Sequence, residues 1–530
     1  MPVRTATLNK PASPGRLRRR LRPERHRLRH LLVAALGALA VSAAFPPFGW
    51  WWSAPLGVAL IVASAHGASV RVSAVAGAVA GAVFAGTSLV WLTSVGPDAY
   101  LAVTAVFAAW WAAMLTGIRL TMGLRAWPLL VPAVWVGQEW ARSQWPLGGF
   151  PWARLAYVSV DSPFAALVPH LGVYGLTYVI AAIGSLLAAA IVGSHRRGAL
   201  IAAGLAAAAV VASGAAVAQA APAGSAQPAV QVAVVQGGGQ PGAGEQQARA
   251  VLAAHVRQTR LLAADTVAPP AFVLWPESAT DIDPLIDTQA GAQIDAAVAD
   301  IGVPVVVGAV TAAPDQPQLA RNQSISWMPL TGPGVAYTKR QLVPFGEYVP
   351  ARGLLERLTS RFTQVPRDFV SGTDSPVIDV GAVRLGMLIC YEVAFDDRVT
   401  DAVSAGATVL AVPSNNATYA GTTQPAQQLA ITRFRALETA RATLLASTTG
   451  VSAIIDSSGT VLTSIQDGAA GSRIGDAAPS TQITTAVRWG GGIGVALTVI
   501  AAVTVLIGAF AHKRAVRRSD AGLAPTTWMQ

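Results

Sequence analysis

The sequence predicts a polytopic α-helical membrane domain of about eight spans joined to an extracytoplasmic α/β domain. Three observations carry this prediction. Of 530 residues, 53% are apolar and only 12% charged, with mean hydropathy +0.47, whereas ordinary soluble domains carry about 25% charged residues. Seven apolar runs fill the first 220 residues, and an eighth stands alone near the C-terminus. Between them, over about 225–485, short β-rich runs alternate with helix-like stretches, as in a layered sheet covered by helices.

The apolar runs are 31–46, 51–66, 72–93, 100–122, 126–140, 163–193 and 199–220, with the eighth near 490–510. Several approach the roughly 20 residues needed to cross about 30 Å of hydrocarbon. The first two would form a hairpin around FPPFGWWW, where Trp50, Trp51 and Trp52 read as an interfacial anchor. A basic start followed by AVSAA also resembles a cleaved signal peptide, but further spans follow at once, so the first run reads as an uncleaved anchor.

Loop charges set the orientation. With the N-terminus inside, the inner loops carry Arg71, then Arg119 and Arg125, then Arg196 and Arg197, while the outer loops FPPFGWWW and SVGPDAY carry only Asp98 and the longer outer loop near 140–162 is mixed. This is the positive-inside pattern. Seven crossings leave the chain outside near residue 221, and the eighth returns it to the basic tail HKRAVRR. The expected organisation is a basic cytoplasmic extension (1–30), seven spans (31–220), an extracytoplasmic catalytic domain (221–485), an eighth span (486–511) and a cytoplasmic tail (512–530). Both termini would be cytoplasmic, in the cell membrane. Much of the net charge of +11 lies in RLRRRLRPERHRLRH and in the tail. These runs lack interleaved aromatics and a binding fold, which argues against nucleic acid. Anchoring to anionic inner-leaflet lipids is their plainest role.

One cysteine, Cys390, excludes an intrachain disulfide and a zinc site built from several thiolates. No cofactor or metal is expected. QGGGQPGAG lacks the GK[ST] ending of a phosphate-cradling loop, and the exterior domain has no G-x-S-x-G elbow. His255 is the only histidine there. It is expected on the surface of an amphipathic helix rather than in a Cys–His dyad.

What remains are carboxylates, a lysine and the thiol. Cys390 sits in MLICYEVA, after an apolar run and two places before Glu392. Alone, such a thiol is more often an inert core residue; as a nucleophile it needs a base and an oxyanion holder. Glu277 lies in AFVLWPESAT, where proline ends a strand and sets the glutamate at its C-terminal edge, the place where α/β active sites collect. Partial burial beside Trp275 would suit a general base. Lys339, in AYTKRQLVPFGEYVP, is the exterior domain's only lysine. Glu347, hemmed by two prolines and a glycine, would be firmly placed, either to orient a neighbouring cation or to act directly.

These three strand-end motifs, WPE, TK…PFGE and CYE, resemble the nitrilase (carbon–nitrogen hydrolase) superfamily over about 229–485. The resemblance implies a nitrilase-like four-layer α-β-β-α sandwich and a Glu–Lys–Cys triad. Such a domain set between seven spans and an eighth resembles the apolipoprotein N-acyltransferase family. FPPFGWWW, GFPWARLAY (149–157), RNQS (321–324) and PSNNATY (413–419) are similar to that family too. VVQGGGQP departs from the less glycine-rich turn expected there. By this resemblance Cys390 would be the nucleophile and Glu277 the general base. Lys339 would hold the oxyanion with the backbone N–H of Tyr391, and Glu347 and Glu392 would be supporting acids. It also implies two substrates and a bilayer as partners. A membrane phospholipid would donate an acyl chain, a thioester would form on Cys390, and the α-amino group of a lipoprotein's S-diacylglyceryl cysteine would accept the chain. The rival is a membrane-tethered amidase or nitrile hydrolase with the same triad. Residues 351–372 would be either a membrane-dipping lid or an ordinary amphipathic helix.

Overall fold

Each of the eight apolar runs forms a helix in the computed structural model, which describes residues 14–193, 196–219, 228–238, 244–314, 316–358 and 367–520. The first seven helices are α1 (Pro14–Ala43), α2 (Ser53–Ala65), α3 (Val70–Ser88), α4 (Pro97–Thr121), α5 (Trp127–Arg142), α6 (Val168–Val192) and α7 (Arg196–Gln219). Proline sits in the opening turn of α4, α5 and α6, where its missing N–H has no partner to lose. Ser69 caps α3 by accepting from the Val72 N–H at 3.3 Å. Gly77 and Gly81 let α3 lie directly on α4: a Cβ added at Gly81 would come within 2.6 Å of the Phe107 carbonyl oxygen, the close backbone approach that small residues allow in membranes.

Among the described residues, four helical segments are long and apolar enough to cross a membrane: Val70–Ser88, Pro97–Thr121, Pro163–Val192 and Thr485–Arg518. The chain is a membrane protein. α2 (13 residues) is shorter than its run, and α5 (16 residues) is about as long as its run; neither reaches the length of those four segments. In the tryptophan hairpin, Trp50 and Trp52 are half exposed and stack at 6.0 Å, while Trp51 turns in against Phe164. The start of the basic extension (1–13), most of the linker QAAPAGSAQPA, residues 239–243 of the glycine-rich turn, residues 359–366 of the candidate lid and the final ten residues lie outside the described residues.

Next come β1 (Val230–Gln236), α8 (Glu245–Asp265), β2 (Val273–Leu274), α9 (Thr288–Ile301), β3 (Val305–Ala313), β4 (Gln316–Met328) and β5 (Gly332–Thr338). They are followed by α10 (Arg352–Leu358), β6 (Val377–Val380), β7 (Val383–Met387), α11 (Asp396–Ser404), β8 (Val409–Ser414) and α12 (Gln424–Thr439). The last elements are β9 (Thr443–Ser447), β10 (Ser452–Ile455), β11 (Val461–Ile465), β12 (Gly471–Ala477) and α13 (Thr485–Asp520).

The strands form two six-stranded sheets, ordered β12-β1-β2-β3-β4-β5 and β11-β10-β9-β8-β7-β6. Each has a parallel centre, β1-β2-β3 or β7-β8-β9, with antiparallel strands outside it. Both faces of each centre are covered, which explains the unbroken apolar runs. Along β1, Val232 and Val234 enter the core between the sheets, while Ala233 and Val235 enter the core under α8 and α9, the period-2 alternation of a strand. Leu385, Met387, Val409 and Leu444 supply the facing sheet's share of the central core. The layers are therefore α8/α9, sheet, sheet, α11/α12.

In that last helix layer, α12 packs against the membrane helices rather than solvent. Ile431, Phe434 and Leu437 of α12 share one continuous core with Trp152, Leu155 and Tyr157 and with the buried faces of the membrane helices. Phe434 meets Tyr157 edge-on at 5.3 Å. The indoles of Trp91 and Trp152 both donate to Gln427 Oε1, at 3.0 and 2.8 Å, and Gln427 Nε2 donates to the Ser88 carbonyl at 2.8 Å.

His255 corrects an expectation. It is fully buried, not on the surface of α8, and its ring lies 5.7 Å from that of Trp275. The glycine-rich turn explains the fit, since a Cβ at Gly237 would come within 2.7 Å of the imidazole. The Trp275 indole donates to Thr259 on the same helix at 2.9 Å, so this histidine belongs to the helix–sheet core. Burial lowers its pKa to about 4 against the opposing hydrogen bond to the Val251 carbonyl. The folded pKa lies below the unfolded value of about 6.5. The histidine therefore contributes no penalty above that value, and stability falls as pH drops from about 6.5 toward 4, by about 3 kcal/mol in all. The apparent thermal midpoint of the solubilised protein is expected to fall between pH 6.5 and pH 5, and to fall less steeply in His255→Leu.

Candidate active site

Three strand ends converge between the two sheets. Glu277 follows β2 across Pro276, Lys339 follows β5 directly, and Cys390 follows β7. Cys390 opens a short 3-10 turn, Cys390–Ala394, at φ +54°. A β-carbon disfavours that left-handed conformation, which persists only where the surroundings fix it.

Lys339 is the hub. Its Nζ donates to Glu277 Oε1 at 2.9 Å and to Glu347 Oε1 at 3.0 Å, and the lysine side chain is 1% exposed. Asn322 Nδ2 donates to the same two oxygens, at 2.6 and 2.7 Å. Backbone N–H groups hold the remaining ones: Asn415 donates to Glu277 Oε2 at 2.8 Å, and Val343 to Glu347 Oε2 at 2.7 Å. Burial alone would strip the lysine of its proton, but Glu277 and Glu347 outweigh it and hold the ammonium protonated well above its usual range. Glu277 and Lys339 lie near enough to act on the Cys390 thiol: burial and that carboxylate push its pKa well up, against the pull of Lys339. At neutral pH the group is a thiol with a carboxylate acceptor beside it.

Glu392 is fully buried and does not join this set. Its Oε1 accepts from the Arg340 and Gln341 N–H groups at 2.8 and 3.0 Å, and its Oε2 from the Ile389 N–H at 2.7 Å. Tyr337 donates its hydroxyl to the same carboxylate, at 2.9 Å from Oε1. Burial raises the Glu392 pKa, and the Gln341 N–H is the strongest opposing influence. Glu392 thus ties the segment after Lys339 to the residue before Cys390. The Tyr391 hydroxyl donates to the Gly149 carbonyl at 3.2 Å, and its ring packs among Phe150, Trp152 and Phe395.

All five acidic, basic and thiol candidates from the sequence therefore lie at one junction, three of them joined directly, with Lys339 between Glu277 and Glu347. Reading the sequence missed Asn322 and Asn415, although both stand in stretches singled out there, RNQS and PSNNATY. It also missed Gln428, whose Nε2 donates to Ser414 Oγ at 2.8 Å and lies 3.4 Å from the Cys390 carbonyl oxygen. An uncharged amide gives no chemical signal until the fold shows what it touches. Among the described residues, no cluster of three or more His, Cys, Asp or Glu could hold a metal ion.

Residues 37–186 match the apolipoprotein N-acyltransferase N-terminal domain, and residues 231–485 match carbon-nitrogen hydrolase. The chain is 36% identical to the apolipoprotein N-acyltransferase of Mycolicibacterium smegmatis over 525 residues, covering 93% of this chain and 88% of that one. This chain belongs to the apolipoprotein N-acyltransferase family. The Pseudomonas aeruginosa member is 30% identical over 488 residues, covering 87% of this chain and 92% of its own. Among solved structures, an amidase from Nesterenkonia sp. aligns with a TM-score of 0.35 at 19% identity, covering 48% of this chain and 92% of that one. Membership in the apolipoprotein N-acyltransferase family makes the chain an acyltransferase. The two family segments correspond to the membrane helices and to the two-sheet domain.

Proposed function

We propose that the chain moves an acyl chain from a membrane phospholipid, through a thioester on Cys390, to the α-amino group of a lipoprotein's N-terminal S-diacylglyceryl cysteine. One observation carries this reading: a thiol sits within the electrostatic reach of a carboxylate and a buried ammonium that are hydrogen-bonded to each other, in a domain whose core continues into membrane helices.

Glu277 takes the thiol proton as the sulfur attacks the ester carbonyl carbon. The Lys339 ammonium and the Tyr391 N–H hold the oxyanion. The tetrahedral intermediate collapses, the carbon–oxygen bond breaks, and the proton on Glu277 leaves with the lysophospholipid. The lipoprotein amine then attacks the thioester. Glu277 accepts the amine's proton and passes it to the departing sulfur, which restores the thiol. One covalent intermediate shared by two half-reactions gives ping-pong kinetics. Glu347 and Asn322 orient the lysine and Glu277; Glu392 orients the loop and the turn.

Both substrates keep acyl chains in the bilayer, and exposing a chain to water costs about 0.8 kcal/mol per CH₂. The site therefore works at the outer membrane surface. In this reading the eight helices all belong to the membrane domain, with seven crossings before the exterior domain, an eighth after it and both termini cytoplasmic. Phe150, Trp152 and Tyr391 line up beside the nucleophile's turn, and an apolar rim of this kind disfavours water as the acceptor. α10 is tied by Arg352 to Asp368, at 2.5 Å.

The test is a product assay. Full-length protein is given phospholipid with a labelled acyl chain and a synthetic S-diacylglyceryl-cysteinyl peptide. The expected product is a labelled amide on the peptide, absent when the amine is acetylated. Release of labelled fatty acid at one rate with or without peptide, together with hydrolysis of short amides, would make the protein a tethered hydrolase.

A further inference from the structure

The far end of the nucleophile's turn is held from the membrane side. The Ala394 carbonyl accepts from Arg154 Nη2 at 2.8 Å, Arg435 Nη2 at 2.9 Å and the Tyr157 hydroxyl at 3.3 Å. The Val393 carbonyl accepts from Arg435 Nε at 2.8 Å. Arg154 also grips Asp396 with both ends of its fork, at 2.6 and 2.8 Å. Arg435 adds a bond to Asp396 at 2.7 Å and one to Glu438 at 2.5 Å. Both arginines are fully buried, and the two guanidiniums balance the two carboxylates.

Arg154 is not part of the two-sheet domain. It lies in the loop between α5 and α6, and side chains of α5 set that loop. Glu139 Oε1 accepts from the Leu155 N–H at 2.9 Å, and Arg142 Nη1 donates to the Trp152 carbonyl at 2.9 Å. Hydrogen bonds from α5 thus fix the backbone on either side of Arg154, and Arg154's own bonds reach the end of the turn that starts with Cys390. A buried ion-pair network is a weak source of stability, because desolvation offsets its attraction. A planar, doubly bonded guanidinium does fix direction, and a left-handed Cys390 needs fixing from both ends. Glu392 holds the near end.

We infer that Arg154 is a positioning residue for the nucleophile: through the Ala394 carbonyl and Asp396, the membrane domain sets the Cys390–Ala394 turn in its reactive geometry. The membrane region then does more than anchor the enzyme. This inference rests on Cys390 being the nucleophile.

The experiment uses full-length protein in lipid nanodiscs and a phospholipid with a labelled acyl chain, without acceptor. Acyl-enzyme formation is followed in a single turnover against donor concentration, with Cys390→Ala as the blank. Arg154→Lys keeps a cation opposite Asp396 but loses the fork. Its maximal rate is expected to fall about 100-fold, the scale on which a small misplacement of a reacting group acts, with half-saturating donor unchanged and the protein folded. Arg154→Ala is expected to lose at least as much. Several outcomes would overturn the inference: a wild-type rate in folded Arg154→Lys, a changed half-saturation at unchanged maximal rate, or loss of the fold in both variants, which would make Arg154 merely structural. A wild-type chain that takes no label brings down the nucleophile reading and this inference together, and the control makes that case distinguishable.

Discussion

Lys339→Met is expected to cost both the fold's stability and the chemistry. The ammonium is buried and shared by two carboxylates, at 2.9 and 3.0 Å. Methionine fills similar space but leaves Glu277 and Glu347 facing each other around Asn322 with no cation. Removing one partner from a buried charged pair typically costs about 3–5 kcal/mol, and losing an oxyanion donor costs about 10²–10³ in rate. Denaturation in detergent and acyl transfer to the peptide amine measure the two effects. The double variant Lys339→Met/Glu347→Gln separates them. Removing one carboxylate charge restores part of the stability, while activity stays low because no cation faces the oxyanion. Recovery of both together would mean that the lysine only balances charge.

Glu277→Gln is expected to lose about 10³-fold in acyl transfer, within the range for removing a general base, with a smaller loss of stability than Lys339→Met. The amide fits the same space, and Glu347 still faces the lysine. What disappears is the acceptor for the thiol proton. The half-buried Cys390 thiol has a pKa pushed well above the usual range, so it needs that acceptor near neutral pH. Cys390 is the only cysteine, so a small alkylating reagent reports on it alone. Glu277→Gln removes the proton acceptor and also a charge that raises the thiol's pKa, but burial is the larger cause of that rise, so alkylation at pH 7.5 should still slow along with acyl transfer. Alkylation that is unchanged or faster, with acyl transfer lost, would move Glu277's role to the second half-reaction, where the amine loses its proton.

Chemistry that needs charge was legible in the sequence, and geometry made from uncharged groups was not. Glu277, Lys339 and Cys390 stood out because prolines, a lone lysine and a lone cysteine mark strand ends. The central strands β1, β3, β7, β8 and β9 were legible because burial on both faces makes them continuously apolar. β5, β6, β11 and β12 are the edge strands of the two sheets, and stretches such as GPGVAYT or GSRIGDA carry little apolar signal. His255 was misread because a polar helical stretch gave no hint that one of its turns faces Trp275. Glu139 and Arg142 stand near the end of an apolar run and Arg154 within GFPWARLAY, and each is buried and bonded at the seam between the membrane helices and the two-sheet domain. A charge at a span's end reads alike in sequence whether it meets water or another domain.

The central claim is a thioester on Cys390. Purified protein is incubated with phospholipid carrying a labelled acyl chain, without any acceptor, and the labelled residue is identified. The account predicts a hydroxylamine-labile label on Cys390, absent in Cys390→Ala and discharged when an S-diacylglyceryl peptide with a free amine is added. A folded protein that transfers the acyl chain to the peptide while Cys390 never carries label would contradict it.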